Sequence, residues 1–170
     1  MVIRTTVVFA LGVIVGAVTA TTAAIALATP PQETRLAGVN GVNHLAFVTP
    51  NYDAMKAFYT QTMGFPEAFT IRNATGQPTL TYLQASRSTF VELMPAAPTR
   101  TPGFTHFGLH VEDVRAVAAT LRSRGLTVAE PRTIGSGALA TTVTDPDGNR
   151  IEVSELPPDA PARKAAENWR

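Results

Sequence analysis

The chain has 170 residues, a formal net charge of +1, 45% hydrophobic residues and 16% charged residues. This composition suits one globular domain and excludes an intrinsically disordered chain. The near-neutral charge, without a run of Lys or Arg, excludes the electrostatic footprint of a nucleic-acid-binding protein. The absence of cysteine excludes disulfides, thiolate metal ligands and a cysteine nucleophile.

The N-terminal segment is strongly apolar. Arg4 is the only charged residue before Glu33, and Val7–Ala28 consists almost wholly of apolar or small residues. Residues 1–28 are therefore predicted to be either a signal peptide with an A-x-A cleavage site or an uncleaved membrane anchor, and the sequence leaves both open. In both cases Arg4 stays on the cytoplasmic side, so we expect the domain outside the cytoplasm: periplasmic, secreted or anchored to the membrane. Residues 29–40, which contain two consecutive prolines, are predicted to be a linker.

A strand, a helix and three strands are predicted over residues 41–94. His44 lies in the first strand. The next segment has the i, i+3, i+4, i+7 spacing of one helical face, formed by Met55, Phe58, Tyr59 and Thr62. Gly64 is typical of a helix end. The β-rich stretches that follow are Ala68–Arg72, Thr79–Ala85 and Thr89–Met94.

The same order is predicted again over residues 103–156. His106 lies in the first strand, and Glu112 with Asp113 forms a helix-capping signal. The helical face is then formed by Val114, Val117, Ala118 and Leu121, with Gly125 as the end of the helix. The β-rich stretches are Thr127–Ala129, Leu139–Thr144 and Arg150–Glu155. The sequence therefore predicts an α+β fold of two tandem βαβββ units.

A C-terminal tail is predicted over residues 157–170. Its prolines break the fold before a short helix, in which Ala165, Ala166 and Trp169 could pack back on the domain. The sequence assigns this tail no function.

Two histidine–glutamate pairs recur at nearly equal spacing, one in each unit. His44 precedes Glu92, and His106 precedes Glu152. Imidazole and carboxylate groups are the ligands of borderline divalent metals. If the two units pack around a pseudo-twofold axis, the four side chains converge on one site with two nitrogen and two oxygen donors.

Two other residues, His110 and Glu155, are alternative candidates for the histidine and glutamate ligands of the second unit. His110 shares a strand face with His106, but the repeat aligns His106 with His44, so His110 is predicted to be a core histidine or a residue that supports a ligand. Glu155 lies on the opposite strand face from Glu152 and is predicted to be a surface charge. A shared pocket for two carboxylates is costly unless a cation or a proton enters it, which favours a metal site.

The order of several short motifs resembles that of the vicinal oxygen chelate superfamily, and within it the glyoxalase I branch. The motifs are the His44 strand, the helix end Ala57–Phe65, Val91–Leu93, Gly103–Leu109 and Thr144–Glu152. The resemblance covers residues 41–156. It implies an open, incomplete barrel with a metal in its concave face, and it places His44, Glu92, His106 and Glu152 at the four ligand positions.

The resemblance also implies a chemistry. One divalent ion would leave positions for two adjacent substrate oxygens and would stabilise an enediolate as a Lewis acid. Glu152 would then move the proton, with Glu92 opposite, on a small α-oxo or thioester substrate. Nickel, cobalt, zinc and manganese all suit such ligands, whereas iron is disfavoured. In the family the units pair within one chain or across a dimer, so a homodimer stays open.

This chain departs from the glyoxalase I pattern where glutathione is held. Gln61 stands where the family has an arginine, and Gln61 cannot make a bidentate charged pair with a carboxylate. Pro102 stands at a second family arginine, although Arg100 lies close to it in the sequence. These departures favour a glyoxalase-like lyase or isomerase of undetermined substrate over a lactoylglutathione lyase.

Three alternatives remain. A ring-cleaving dioxygenase of the superfamily has two histidines and one glutamate, so Glu92 as a fourth ligand argues against it. An epimerase of acyl thioesters uses a similar set of four ligands, but coenzyme A is cytosolic. A non-enzymatic protein that binds or sequesters a ligand needs no metal.

Overall fold

A computed structural model describes residues 35–169. The strands are β1 (Val39–Thr49), β2 (Glu67–Arg72), β3 (Pro78–Ser86), β4 (Thr89–Pro95), β5 (Gly103–Val111), β6 (Arg132–Thr133), β7 (Leu139–Thr144) and β8 (Arg150–Glu155). The helices are α1 (Tyr52–Ala57), which continues as a π-helix over Phe58–Thr62, α2 (Val114–Ser123) and α3 (Pro161–Glu167). The signal or anchor predicted at residues 1–28 lies outside the described residues, and the predicted location outside the cytoplasm stays a prediction. No helix within residues 35–169 is both long and apolar enough to span a bilayer.

The described strands form one mixed sheet in the order β2-β3-β4-β1-β5-β8-β7-β6. In each half the first strand pairs in parallel with the last strand of its own unit, β1 with β4 and β5 with β8. The two halves meet where β1 and β5 run antiparallel. The sheet curls into an open half-barrel, which confirms the α+β, glyoxalase-like part of the predicted fold.

Alternation along the strands divides apolar side chains between the two faces of the sheet. On the convex face α2 packs through Val114, Val117 and Ala118, which are all buried. The helix of the first unit covers Leu83, Val91 and Leu93 in the same way. Both helices therefore lie outside the half-barrel and leave its concave face to other residues.

The C-terminal helix packs on the concave side of the sheet, against a cluster that includes Ala138 and Leu156 of the second unit as well as residues of the first. A buried cluster joins Tyr82 and Phe90 of the sheet to Ala162 of α3, and Ala165 packs against it. Gln84 Nε2 also donates to the carbonyl oxygen of Ala165 at 3.2 Å. The predicted packing of the tail thus involves Ala165, together with Ala162, which the sequence had not singled out.

One predicted strand is wrong. Residues Thr127–Ala129 are irregular, and the edge strand of the second unit is the two-residue β6. The reason is that side chains bind the backbone there: Arg122 donates to the carbonyl oxygens of Val128 and Ala129 at 2.8 and 3.0 Å. Carbonyl groups satisfied by a guanidinium need no neighbouring strand.

The predicted helix ends are present. Asp113 caps α2 by accepting from the backbone N–H groups of Arg115 and Ala116. Gly64 and Gly125 have φ angles of +73° and +91°, which favour glycine. The helical spacing did not predict the π-helix, in which Thr60 Oγ1 donates to the carbonyl oxygen of Lys56 at 2.9 Å.

Candidate metal centre

The four predicted ligands come from the four central strands of the sheet. His44 lies on β1, Glu92 on β4, His106 on β5 and Glu152 on β8. The turn before β8 is fixed by Asp145, whose Oδ1 accepts from the backbone N–H of Asn149 at 2.8 Å. All four side chains belong to one chain, so the geometry requires no second copy to assemble them. Whether the chain forms a homodimer stays a prediction.

The donor atoms of these side chains lie close together. His44 Nε2 and His106 Nε2 are 3.1 Å apart, and Glu92 Oε2 is 3.5 Å from His44 Nε2. Glu152 reaches both rings, with Oε1 3.8 Å from His44 Nε2 and Oε2 3.8 Å from His106 Nε2. The donor atoms of His44, Glu92 and His106 all lie within 4.8 Å of one another, so these three residues could hold a metal ion.

The residue before His44 fixes its ring. Asn43 Oδ1 lies 3.1 Å from His44 Nδ1, and Asn43 Nδ2 donates to the carbonyl oxygen of Ser88 at 3.0 Å. The second hydrogen bond sets the orientation of the amide, so the oxygen of Asn43 faces the ring. His44 therefore carries its proton on Nδ1 and presents the lone pair of Nε2.

The residue before His106 acts in the same way. Thr105 Oγ1 lies 3.0 Å from His106 Nδ1 and donates its own proton to the carbonyl oxygen of Ala46 at 3.2 Å. Thr105 therefore accepts from Nδ1, and Nε2 of His106 also has a free lone pair. The short separation of the two Nε2 atoms thus brings two lone pairs together, which is unfavourable unless a cation lies between them.

Gly108 leaves the space that the ring of His44 occupies. It lies on β5 opposite His44 and beside Glu152 of β8. A Cβ atom at this position would overlap the imidazole ring of His44, with Nε2 only 2.7 Å away. A side chain at residue 108 and the observed position of His44 are therefore incompatible.

Burial keeps both histidines neutral. Burial, followed by the neighbouring His106, lowers the pKa of His44 to about 3. Burial also lowers the pKa of His106 to about 4, with a smaller contribution from the charge of Arg150. At neutral pH both rings are therefore uncharged and able to bind a cation.

The two carboxylates are disfavoured as anions in the metal-free site. Burial, followed by the charge of Glu92, raises the pKa of Glu152 to about 7, although Arg150 opposes this rise. Burial also raises the pKa of Glu92, and the hydrogen bond from Tyr82 and the charge of Arg100 oppose it. A divalent cation would remove the cost of both charges.

These observations fit a metal ion. Donor atoms that bind one zinc-like ion at about 2.0–2.3 Å lie roughly 3–4 Å from one another, which is the range seen here. Neutral imidazoles and carboxylates are the ligands that such ions take. The donor set, the facing lone pairs and the space left by Gly108 therefore agree with one divalent ion.

The two carboxylates differ in how firmly they are held. Tyr82 Oη donates to Glu92 Oε2 at 2.8 Å, and burial holds the pKa of Tyr82 well above its usual value, so the phenol keeps its proton. Thr142 occupies the corresponding place opposite Glu152 on the neighbouring strand. Within residues 35–169 no group donates a hydrogen bond to the side chain of Glu152, so this carboxylate is the less constrained of the two.

The competing residues lie elsewhere. His110 belongs to no group of metal donors within residues 35–169, and it lines a cleft with Asn43 and Arg163. Glu155 is on the opposite strand face, as predicted, but it is more than a surface charge. Its Oε2 accepts from the backbone N–H of Val114 at the start of α2, at 3.2 Å.

Sequence reasoning missed the residues that hold the ligands. Asn43 and Thr105 were identifiable, because each directly precedes the histidine of its unit and has a side chain that can accept from Nδ1. Tyr82 was identifiable from pairing, since it is the cross-strand neighbour of Glu92. Gly108 lies within the motif Gly103–Leu109, but its role depends on contacts that a sequence does not show.

A cleft of about 190 Å³ adjoins the centre on the side of the second unit. Glu152 contributes to its lining, together with Thr142, Arg132 and Arg150. A larger cavity of about 510 Å³ lies between α2 and the sheet and is lined mainly by aliphatic side chains such as Leu109 and Ile151. That cavity touches none of the four ligands, so the smaller cleft is the approach to the centre.

Comparison with known protein families shows to which superfamily the chain belongs. Residues 41–153 match the model of the glyoxalase/bleomycin resistance protein/dioxygenase superfamily. The chain belongs to this superfamily. The match spans both histidine–glutamate pairs, and it agrees with the half-barrel described above.

Named relatives of this superfamily member are epimerases. A 2-epi-5-epi-valiolone epimerase from Actinomyces sp. is 28% identical, over 76% of this chain and 87% of the relative. The methylmalonyl-CoA epimerase of Mycobacterium tuberculosis is similar in structure, with a TM-score of 0.62, 21% identity, and coverage of 74% of this chain and 92% of that one. The Streptomyces coelicolor methylmalonyl-CoA epimerase, in complex with 2-nitronate-propionyl-CoA, has a TM-score of 0.57, 23% identity, and coverage of 69% and 94%. At these identities the two structures establish the fold.

Proposed function

We propose that this protein is a metal-dependent isomerase, most closely an epimerase, that moves a proton at the carbon next to a carbonyl group of a small molecule. The observation that carries the proposal is the difference between the two carboxylates. Tyr82 donates a hydrogen bond to Glu92 and fixes it. Glu152 accepts no hydrogen bond from residues 35–169, and it lines the open cleft. The relatives named above are epimerases, which supports the same class of reaction.

The four side chains His44, Glu92, His106 and Glu152 would hold one divalent ion. Such an ion would supply Lewis-acid stabilisation of the negative charge that develops on two adjacent substrate oxygens. Nickel, cobalt, zinc and manganese are all compatible with two imidazoles and two carboxylates.

Glu152 is the proposed base. Its pKa of about 7 in the metal-free site means that the carboxylate binds a proton readily near neutral pH, as an efficient general base must. It lines the cleft, so a substrate that enters from this side meets Glu152 before the more deeply buried Glu92. Glu152 would remove the proton from the carbon next to the carbonyl group and then carry it.

Glu92 and Tyr82 have a different task. The phenol of Tyr82 holds one oxygen of Glu92 in place, and the aromatic cluster beneath α3 closes that side to solvent. Glu92 would therefore stay a ligand while Glu152 moves. In an epimerisation the opposite face of the carbon must receive a proton. Glu92 would enter the reaction protonated, as its raised pKa allows, and would give that proton to this face. Glu152 would keep the proton that it removed, and exchange with water would restore both carboxyl groups.

Deuterium exchange tests the proposal. The metal-loaded full chain would be incubated in D2O with a panel of α-hydroxy ketones, α-oxo compounds and acyl thioesters, and NMR would follow deuterium entering the carbon next to the carbonyl. Glu152→Gln should lower the rate of exchange on an active compound by about 10²- to 10⁴-fold while keeping part of the metal. Glu155→Gln, the same change on the other face of β8, should leave the rate unchanged.

The products separate the possible reactions. Inversion at one carbon identifies an epimerase, and transfer of the proton to the neighbouring carbon identifies the glyoxalase-type reaction that the sequence resemblance implied. An exchange rate that is equal in the wild type and in Glu152→Gln would contradict the role of Glu152. A metal-loaded protein that exchanges no compound of any of these classes would contradict the enzymatic proposal and favour a ligand-binding protein.

A further inference from the structure

The cleft beside Glu152 has arginines on its walls. Residues that line it include Arg132 of β6, Arg150 of β8 and Ile134, with Thr142 and Glu152 on the sheet below. Strand pairing explains this arrangement. Arg150 lies two residues before Glu152 on β8, so both side chains are on the same face of the sheet.

Arg132 reaches the cleft from the opposite wall. It pairs with Ala140 of β7, and Ala140 in turn pairs with Ser154, which shares the strand face of Glu152. Arg132 therefore also lies on the concave side. Two guanidinium groups from different strands thus border the same small space, next to the proposed base.

Neither guanidinium has a carboxylate partner. Among residues 35–169, no ion pair within 4.0 Å involves Arg132 or Arg150. Glu130 also lines the cleft, but its Oε1 is 2.9 Å from Arg122 Nη2, so its charge is already compensated. A divalent ion would compensate Glu92 and Glu152. Arg132 and Arg150 are both exposed to solvent, so an anion that enters the cleft can reach their guanidinium groups.

We propose that Arg132 and Arg150 bind an anionic group of the substrate, a carboxylate or a phosphate, while its reacting carbon lies at Glu152. The inference rests on the proposed function and extends it to the substrate class. Planar guanidinium groups suit the oxygens of both anions and can bind them through paired hydrogen bonds.

The size and position of the cleft limit the substrate. Its volume of about 190 Å³ is below the range of roughly 300–1,000 Å³ that holds a whole drug-sized ligand. The first unit has a cavity of about 380 Å³ beside α3, but none of the four predicted ligands lines it. The substrate is therefore a short molecule, or the short reacting end of a longer one, with its anion on the side of the second unit.

A set of hydroxamates tests this inference. Acetohydroxamate chelates metals through two adjacent oxygens, and malonomonohydroxamate and phosphoglycolohydroxamate add a carboxylate or a phosphate to the same group. Calorimetry on the metal-loaded full chain should show that at least one anionic compound binds about tenfold tighter or more than acetohydroxamate, as charged hydrogen bonds to arginine predict. The stronger of the two identifies the anion.

Variants assign the effect to the cleft. Arg132→Gln and Arg150→Gln should each remove most of the preference for the anion and leave the affinity for acetohydroxamate unchanged. Arg115→Gln removes the same charge from an exposed position on α2 and should keep the preference. A wild type that binds all three compounds equally well would overturn the inference while the proposed function stands. Anion binding that depends on the arginines, with no binding of acetohydroxamate, would support the cleft and contradict the metal chemistry.

Metal-free protein gives an independent measurement. Inorganic phosphate should shift the backbone NMR signals of Thr142 and Arg150 in the wild type, and the shifts should be weaker in Arg132→Gln. Equal shifts in the two proteins, or no shifts in the wild type, would overturn the inference even if no metal can be loaded.

Discussion

At the scale of single residues, the position of His44 depends on a glycine. Gly108 has no side chain, and a Cβ atom there would overlap the ring of His44. The ring is buried, with 1% of its surface exposed, and Asn43 binds it from behind, so it cannot simply move aside. The absence of one methyl group at residue 108 is therefore a condition for the observed position of His44.

Gly108→Ala tests this dependence. The added methyl group should displace His44, lower the affinity for a divalent ion by about 100-fold or more, and cost roughly 1–3 kcal/mol of folding free energy through overpacking. Gly135→Ala is the matched control, because a Cβ atom there meets no atom within 4 Å. Calorimetric titration of both variants measures the effect, and an unchanged affinity in Gly108→Ala would contradict the placement of His44.

The titration of Glu152 predicts how metal binding depends on pH. Below its pKa of about 7, Glu152 carries a proton that a metal ion must displace, whereas His44 and His106, with pKa values of about 3 and 4, carry none. The affinity should therefore rise about tenfold for each pH unit up to about pH 7 and then level off. Above this pH the carboxylate is already ionised.

Glu152→Gln is the variant that isolates this proton. The glutamine cannot ionise, so the rise in affinity between about pH 6 and pH 7 should flatten, and calorimetry in buffers of different ionisation enthalpy should detect one fewer proton released. Equal proton release in the wild type and the variant would show that the displaced proton belongs to another group.

At the scale of elements, α3 gives the two units different surroundings. Its buried Ala162 contacts the cluster beneath Tyr82, and Tyr82 holds Glu92. The helix thus supports the carboxylate that stays fixed. The cluster also reaches Ala138 and Leu156 of the second unit, but the cleft beside Glu152 remains open.

Ala162→Glu tests the packing of α3. A charge forced into this cluster without a partner should lower the free energy of unfolding by at least about 2 kcal/mol, measured by chemical denaturation. Lys164→Glu changes a charge on the exposed side of the same helix and should alter the stability by less than about 0.5 kcal/mol. Equal stabilities of the two variants would contradict the burial of residue 162.

The sequence predicted those elements whose signals are local. These signals each act within a few residues: strand alternation, helical spacing, the helix-ending Gly64 and Gly125, and the cap at Asp113. Because the same order of signals occurs in both units, each unit supported the prediction made for the other. It failed at Thr127–Ala129, where the backbone bonds to the side chain of Arg122 instead of a strand. A backbone segment that bonds to a side chain instead of a strand leaves no periodic pattern in the sequence, even when the two partners are only six or seven residues apart.

The same distinction applies to the site. The repeat indicated His44, Glu92, His106 and Glu152, and the structure brings their donor atoms together. Their functional roles stay predictions. The difference between the two carboxylates was not predicted, although strand pairing places Tyr82 opposite Glu92 and Thr142 opposite Glu152.

At the scale of the whole molecule, two similar units form one asymmetric centre. The antiparallel junction of β1 and β5 brings Nε2 of His44 and Nε2 of His106 within 3.1 Å of each other. In the first unit Tyr82 holds Glu92, whereas in the second Glu152 lies beside an open cleft. The duplicated fold accounts for the four predicted donors, and we propose that the departure from symmetry gives the two carboxylates different tasks.

The most direct test of the central claim is the metal content of the purified full chain. After incubation with nickel, cobalt, zinc or manganese and dialysis, elemental analysis should find about one ion per chain in the wild type and in His110→Ala. His44→Ala and His106→Ala should each lose most of it while circular dichroism shows a folded domain. A wild type without metal, or a loss of metal in His110→Ala but not in His106→Ala, would contradict the proposed centre.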